Sequence, residues 1–203
     1  MKPLFITGID TGIGKTIISA ILVEKLEADY WKPVQAGDLD HSDTMTVQSL
    51  VSNSASRFHP ETYQLTQPFS PHKSARLDNV DIKIEDFQVP ATHRPLVIEG
   101  AGGLMVPLNP TLLMIDLIAH LNAEVIVVTK NYLGSINHTL LTLEMLRLRQ
   151  IPVRGIVING DADPDSENAI LNYSGVTYLG RIAELPGLDK EGIRAATQNL
   201  NLG

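Results

Sequence analysis

Apolar residues in this chain follow two rhythms. Short, almost wholly apolar runs recur at Leu4-Phe5-Ile6, 30–34, 95–99, Glu124–Thr129, 154–159 and 176–180. Runs of that length, bounded by glycine, proline and polar residues, read as buried strands. Between them the apolar positions shift to helical spacing. Ile18, Ile21, Leu22 and Leu26 repeat on one face after residue 16, and helices are expected over Asp43–Leu50, 82–93, 113–121, 136–150, 164–173 and 190–199. Ser42 stands where it can cap the second of these helices. Residues 53–82 hold Pro60, Pro68 and Pro71 with little periodicity and predict an irregular excursion over the sheet edge. A connection of that length in a compact domain is more often functional than idle.

Apolar strands alternating with helices predict an α/β fold with a mostly parallel sheet, covered by helices on both faces. At 203 residues the whole chain, 1–203, reads as a single domain. In such sheets the ligand lies at the carboxyl ends of the strands. Thr7–Thr16, Lys32–Gly37, Glu99–Gly103 and Thr129–Ser135 are therefore expected around one cleft.

The first of those stretches carries the strongest chemistry. Gly8-Ile9-Asp10-Thr11-Gly12-Ile13-Gly14-Lys15-Thr16 sits between the first strand and the first helix. Its glycines let successive N–H groups curl around an anion. Lys15 and the helix N-terminus add positive charge, and the Thr16 hydroxyl stands where a phosphate-bound Mg²⁺ can take it. The arrangement predicts a P-loop NTPase-like fold that binds nucleotide phosphates. Gly8 and Gly14 are one residue further apart than the usual pattern.

Three later residues extend the site. Glu99 closes an apolar strand just before Gly100-Ala101-Gly102-Gly103, where a carboxylate can face Mg²⁺ opposite Thr16. Asp43 is a second carboxylate candidate, explained almost equally well as a first-turn helix acid. Lys32 stands before Pro33 at a strand end; beside Lys15 it would neutralise a phosphoryl group in transfer, and without them it is an exposed strand-end lysine.

Composition narrows the classes. Net charge is −7, the isoelectric point is about 5.3, and no cationic run appears, which argues against a nucleic-acid surface. With no cysteine there is no disulfide, thiolate metal site or cysteine nucleophile. No apolar run approaches the length of a membrane span and no leader pattern precedes the loop, so a soluble, cytoplasmic protein is expected. His41, His59, His93 and His120 show no metal-ligand spacing, and His72 and His138 read first as ordinary surface or hydrogen-bonded residues.

Taken together these residues resemble the dethiobiotin synthetase family, ATP-dependent enzymes that close the ureido ring in biotin synthesis. The resemblance runs nearly end to end. It rests on the loop just quoted, Lys32-Pro33-Val34-Gln35-Ala36-Gly37, Ser42-Asp43 and Ser70-Pro71-His72. It continues through Glu99-Gly100-Ala101-Gly102-Gly103, Val106-Pro107-Leu108, Leu133-Gly134-Ser135-Ile136-Asn137-His138 and Leu179-Gly180-Arg181-Ile182. The longer glycine loop is this family's normal spacing.

The resemblance implies ATP and Mg²⁺ as cofactors and 7,8-diaminononanoate with CO₂ or bicarbonate as substrates. A carbamate oxygen would attack the γ-phosphate, and the second amine would then displace phosphate. It implies Lys15 and Lys32 as catalytic groups, with Thr16, Asp43 and Glu99 around the metal. ATP would be held by Gly12, Ile13, Gly14, Lys15, Thr16, Ile17, Glu99, Gly100, Ala101 and Gly102, and at the base end by Asn159, Ala183, Glu184 and Leu185. The substrate would meet Thr11, Lys32 and Ala36, and its carboxylate Gly134, Ser135 and Asn137 from the other subunit of a homodimer. Ala36 stands where the family usually has Ser or Thr. The family's Ile-Pro pair is interrupted in Arg181-Ile182-Ala183-Glu184-Leu185-Pro186, which leaves the register of the adenine wall around Ala183–Leu185 open. The competing class is a switch ATPase of the septum-placing or plasmid-partitioning kind. Such proteins carry a signature lysine near the start of the loop, where this chain has Asp10.

Overall fold

The computed structural model describes residues 2–185 and 187–202. Strand β1 (Leu4–Gly8) is buried at every position and takes the middle of a seven-stranded sheet. Across that sheet the order is β4 (Phe58–His59), β2 (Asp29–Trp31), β6 (Leu96–Glu99), β1, β7 (Glu124–Thr129), β8 (Val153–Asn159) and β9 (Tyr178–Ile182), and every pairing is parallel. Parallel neighbours require crossovers, and these supply the helices on both faces. Successive strand residues point to opposite faces. Phe5, Ile98, Val125, Val127, Ile156 and Ile158 pack on one side, and Leu4, Ile6, Val97, Ile126, Val128 and Val157 on the other.

Helix α1 (Lys15–Leu26) lies against the second face, with Ile18, Ala20, Ile21, Leu22 and Val23 fully buried. It is covered in turn by α2 (Asp43–Leu50) and α7 (Lys190–Ala196). The first face carries α4 (Met114–His120), α5 (Ser135–Leu148) and α6 (Pro164–Ser174), through Ile115, Leu117, Ile118, Leu143, Leu146 and Ile170. Ser42 does cap α2, accepting a bond from the Met45 N–H.

The apolar run at 30–34 is not one strand. It stays in the main sheet only to Trp31; after Lys32-Pro33 the chain turns out as β3 (Val34–Ala36), which pairs in parallel with β5 (Tyr63–Leu65). Proline has no N–H to continue the ladder, and the Pro33 carbonyl instead accepts from Tyr63 N at 3.0 Å.

Residues 53–82 are more regular than their prolines predict. They hold β4, β5 and α3 (Pro71–Asp78), where Pro71 takes the first helical turn, a position that needs no N–H. The helix expected over 82–93 is absent: only Ile84–Asp86 makes a 3₁₀ turn. Buried Ile82 and Phe87 pin an extended segment instead of marking a helical face. The final strand begins two residues later than its apolar run, at Tyr178, and α7 ends at Ala196 before a 3₁₀ turn over Thr197–Asn199. Among the described residues no helix is long and apolar enough to cross a membrane.

Candidate active site

The carboxyl ends of β1, β2 and β6, with β3 beside them, open onto a cleft of about 640 Å³. Thr11, Gly12, Gly14, Lys15, Thr16, Ile17, Lys32, Ala36, Asp43, Glu99, Gly100, Ala101 and Gly102 all line it. Gly12 and Gly14 have φ of 69° and 98°, in the left-handed region that glycine adopts without strain. At Gly14 there is a second constraint. A Cβ there would lie 2.1 Å from Asn159 Nδ2, because the Asn159 amide reaches over to donate to the Ile13 carbonyl at 2.8 Å. The end of β8 thus holds the loop in shape. Lys15 opens α1, and its ammonium folds back to donate to the Asp10 carbonyl at 3.1 Å.

Behind the loop the charges converge. Thr16 Oγ1 lies 3.0 Å from Asp43 Oδ1 and 2.9 Å from Glu99 Oε1. A hydroxyl has one proton, so it can serve only one of these oxygens at a time. Lys32 Nζ completes the cluster, 2.6 Å from Asp43 Oδ2 and 3.2 Å from Glu99 Oε1. Lys32 is 4% exposed, so the plain alternative of a solvated strand-end lysine does not apply. Tyr30, fully buried, donates to Glu99 Oε2 at 2.9 Å. Gln35 accepts from the Asp43 N–H at 3.3 Å and donates to the Gly37 carbonyl at 3.0 Å, which ties the start of α2 to the β3 turn.

The electrostatics follow from burial and neighbours. Burial would lower the Lys32 pKa, but Glu99 and then Asp43 outweigh it and raise it. Burial pushes Asp43 up, and Lys32 more than reverses this, leaving it below the usual carboxylate range. For Lys15 burial wins: its pKa is lowered, with Lys32 adding to the effect against the pull of Glu99. Lys15 is thus the underneutralised cation, facing the space where an anion would lie.

A hydroxyl and two carboxylates converging through oxygen atoms suit a hard cation such as Mg²⁺. Among the described residues no group of three or more His, Cys, Asp and Glu side chains could hold a metal. Mg²⁺ keeps several waters and takes part of its ligand shell from substrate phosphates, so it needs few protein ligands.

Asn159 also lines a second cavity of about 330 Å³, with Lys130, Gly160, Asp161, Ile182, Ala183, Glu184 and Leu185; Ile17 lines both cavities. Pro186, the end of the interrupted Ile-Pro stretch, lies outside the described residues. The Asp161 carbonyl at this cavity accepts from Asn131 Nδ2 at 2.8 Å and from Arg181 at 3.0 Å, and Glu167 braces both donors, pairing with Arg181 and accepting from Asn131 Nδ2 at 2.7 Å. Gly134, Ser135 and Asn137 are not brought to either cavity of their own chain. Gly134 caps α5, Ser135 is buried, and Asn137 is exposed to solvent. Ile13 is buried and offers its carbonyl to Asn159.

Sequence reasoning passed over Tyr30, gave Gln35, Ser70 and Pro71 no role beyond the motifs that contain them, and left Pro68 and Phe69 in an unpatterned stretch, although all of these but Tyr30 line the cleft. Tyr30 had one available signal, since it precedes Lys32 by two positions and so shares its strand face.

A parallel sheet whose first strand runs through a glycine loop into a lysine-headed helix, with an acid at the end of the adjacent strand, defines a P-loop nucleotide-binding protein. The family model described as an AAA domain matches residues 2–192. A ParA family ATPase from Chlorobium tepidum has the same fold, with a TM-score of 0.59 over 98% of this chain and 100% of that one at 14% identity. Sequence relatives are far closer. The ATP-dependent dethiobiotin synthetase of Christiangramia forsetii is 50% identical over 189 residues, covering 93% of this chain and 91% of that protein. That of Cytophaga hutchinsonii is 48% identical over 196 residues, covering 96% and 95%. The chain belongs to the ATP-dependent dethiobiotin synthetase family.

Proposed function

We propose that this enzyme uses ATP to carboxylate 7,8-diaminononanoate with CO₂ and to close the ureido ring of dethiobiotin. One observation carries the reading: Lys15, Lys32, Thr16, Asp43 and Glu99 meet in one cleft. The chemistry joins two poor partners, an amine carbamate and a second amine on the same chain. Transfer of the γ-phosphoryl group to a carbamate oxygen makes that oxygen a good leaving group, and the second amine expels phosphate. Phosphoryl transfer is driven chiefly by positioning and charge neutralisation.

In this reading ATP extends from the cleft across Ile17 into the smaller cavity. The amides of Gly12, Ile13, Gly14, Lys15, Thr16 and Ile17 cradle the phosphates. Gly100, Ala101 and Gly102 bring backbone close from the opposite wall, and Asn159, Ala183, Glu184 and Leu185 wall the base. Lys15 draws the phosphate chain into the loop. Lys32 is held between Asp43 and Glu99 in the wall of the cleft, where its charge can meet the negative charge as it moves from carbamate to phosphate. Thr16, Asp43 and Glu99 would hold Mg²⁺, which when bound screens the phosphate charge. Thr11 and Ala36 meet the diamine end; the missing hydroxyl at Ala36 leaves that hydrogen bond to another donor. Gly134, Ser135 and Asn137 act on the substrate carboxylate of the partner subunit in a homodimer, consistent with their absence from the cleft of their own chain.

The test is phosphate release from ATP with and without the diamine and bicarbonate. Release is expected only with both, with dethiobiotin appearing by mass spectrometry; phosphate release without that product would sink the proposal. The shared-site element is tested by mixing two inactive proteins, Lys32→Gln and Asn137→Asp. Random pairing in a twofold dimer restores one intact site per mixed dimer, roughly a quarter of wild-type activity. No recovery would place the carboxylate contacts elsewhere.

A further inference from the structure

Glu99 is held by both oxygens, and the two ends differ. Oε1 faces the Thr16 hydroxyl at 2.9 Å and the Lys32 ammonium at 3.2 Å. Oε2 is turned away from the cleft, toward the phenol of Tyr30 at 2.9 Å. Tyr30 reaches it because β2 and β6 lie in parallel register, with Tyr30 opposite Val97. Its ring is fully buried and tilted against Phe58, centroids 6.1 Å apart. Burial, and then the charge of Glu99, raise the Tyr30 pKa well above its ordinary value, so the phenol remains a donor.

We propose that Tyr30 is a positioning residue that locks Glu99 with Oε1 directed at the divalent cation accompanying the nucleotide. The inference rests on the reading of Thr16, Asp43 and Glu99 as cation ligands. A glutamate carboxylate turns freely about its last torsion. Without the phenol, Lys32 is free to take both oxygens of Glu99 and rotate the carboxylate out of line with Thr16. With it, Oε2 is already occupied and only Oε1 remains for the cleft. Outer partners of this kind fix the direction and strength of metal ligands. Both the donor and the acceptor are buried, so solvent cannot replace the bond.

Tyr30→Phe keeps the ring and removes only the hydroxyl. ADP binding measured by calorimetry over a series of Mg²⁺ concentrations reads the cation without catalysis. Half-saturating Mg²⁺ is expected to rise about tenfold, while ADP affinity in EDTA stays at the wild-type value. Phe58→Leu serves as the packing control: it loosens the ring's neighbour, lowers the melting temperature and leaves the Mg²⁺ dependence in place. An unchanged Mg²⁺ dependence in Tyr30→Phe, or an equal shift in Phe58→Leu, overturns the proposal. If wild-type ADP binding ignores Mg²⁺ altogether, the cation reading falls with it, so the two failures are distinct.

A measurement on the unmutated sequence covers the case in which Tyr30→Phe does not fold. Of the five tyrosines only Tyr30 is fully buried, so in protein labelled with 3-fluorotyrosine its resonance is the one shielded from a soluble paramagnetic agent. That resonance is expected to shift when Mg²⁺ is added to the ADP complex. A resonance that stays in place overturns the proposal.

Discussion

The two cavities proposed to hold the phosphates and the base of the nucleotide are built on different principles. At the phosphate end, charged side chains are buried and hold one another: Lys32 against Asp43 and Glu99, Thr16 against both, Tyr30 behind. Around the smaller cavity, proposed above for the base, Ile17, Ile182, Ala183, Leu185 and Leu188 share the wall with Lys130, Asp161 and Glu184, and the ion pair of Arg181 with Glu167 stands outside the lining. The difference suits the ligand proposed above. A polyphosphate demands fixed cations in a poorly solvated place, where each charge is worth more than in water. A base demands a slot of the right width, which packing supplies.

The comparison breaks first at Lys32. Lys32→Gln is expected to lower turnover about 10²–10³-fold, the cost of losing one preorganised charge from a transition state. Nucleotide binding survives, because Lys15 and the glycine loop remain. Steady-state turnover beside ADP calorimetry decides it, and near-normal turnover would remove Lys32 from the mechanism.

Gly14 joins the two ends. Gly14→Ala drives a Cβ into Asn159 at a left-handed φ, and such strain costs of order 1–3 kcal/mol. ATP affinity and melting temperature should both fall. Adding Asn159→Ala to Gly14→Ala relieves the contact but not the φ, so thermal denaturation of the pair should recover only part of the loss.

Effects at the base end should be smaller and of another kind. Arg181→Ala releases the brace on Glu167 and is expected to raise the KM for ATP a few-fold with kcat nearly unchanged, the pattern of binding lost equally from ground and transition states. A fall in kcat equal to that of Lys32→Gln would erase the distinction between the two ends.

Acid gives the mildest separation. Asp43 and Glu167 are both held below their ordinary range: burial pushes each up, and Lys32 reverses this for Asp43, Arg181 and the hydrogen bonds around it for Glu167. A folded pKa below the unfolded one contributes stability that is present above the unfolded value and lost as pH falls through the folded one. Melting temperature should therefore drop below about pH 4, where ordinary carboxylates begin to protonate. The slope should be slightly shallower in Arg181→Ala, which already lacks part of the Glu167 contribution, while Glu24, Asp29 and Asp116, also held low, still contribute.

Legibility in the sequence tracked the distance over which a feature is decided. The loop from Gly8 to Thr16 was readable because strand, glycines, lysine and helix are consecutive in the chain. The strands over 95–99, Glu124–Thr129 and 154–159 were readable because a strand buried on both faces is apolar throughout. The helix expected over 82–93 failed for a related reason: Ile82 and Phe87 are buried by contacts from elsewhere, not by a helical face of their own. In 53–82 short strands and a proline-headed helix leave too few residues for any period to show.

By itself the sequence determined the parallel α/β architecture, the anion-binding loop and, through its motifs, the identities of Lys15, Lys32 and Glu99. Periodicity and glycine chemistry act over a few residues and need no partner to be read. Only the tertiary structure decided that Lys32 is buried between Asp43 and Glu99, that Tyr30 supports Glu99, and that Asn159 holds Ile13. Lys32 and Glu99 are 67 positions apart, and Asn159 and Ile13 are 146 apart. Their meeting depends on the strand order β2-β6-β1 and on β8 lying one strand beyond β7. That order is fixed by how both faces of the sheet are buried, a property of the whole packed chain that no local stretch contains.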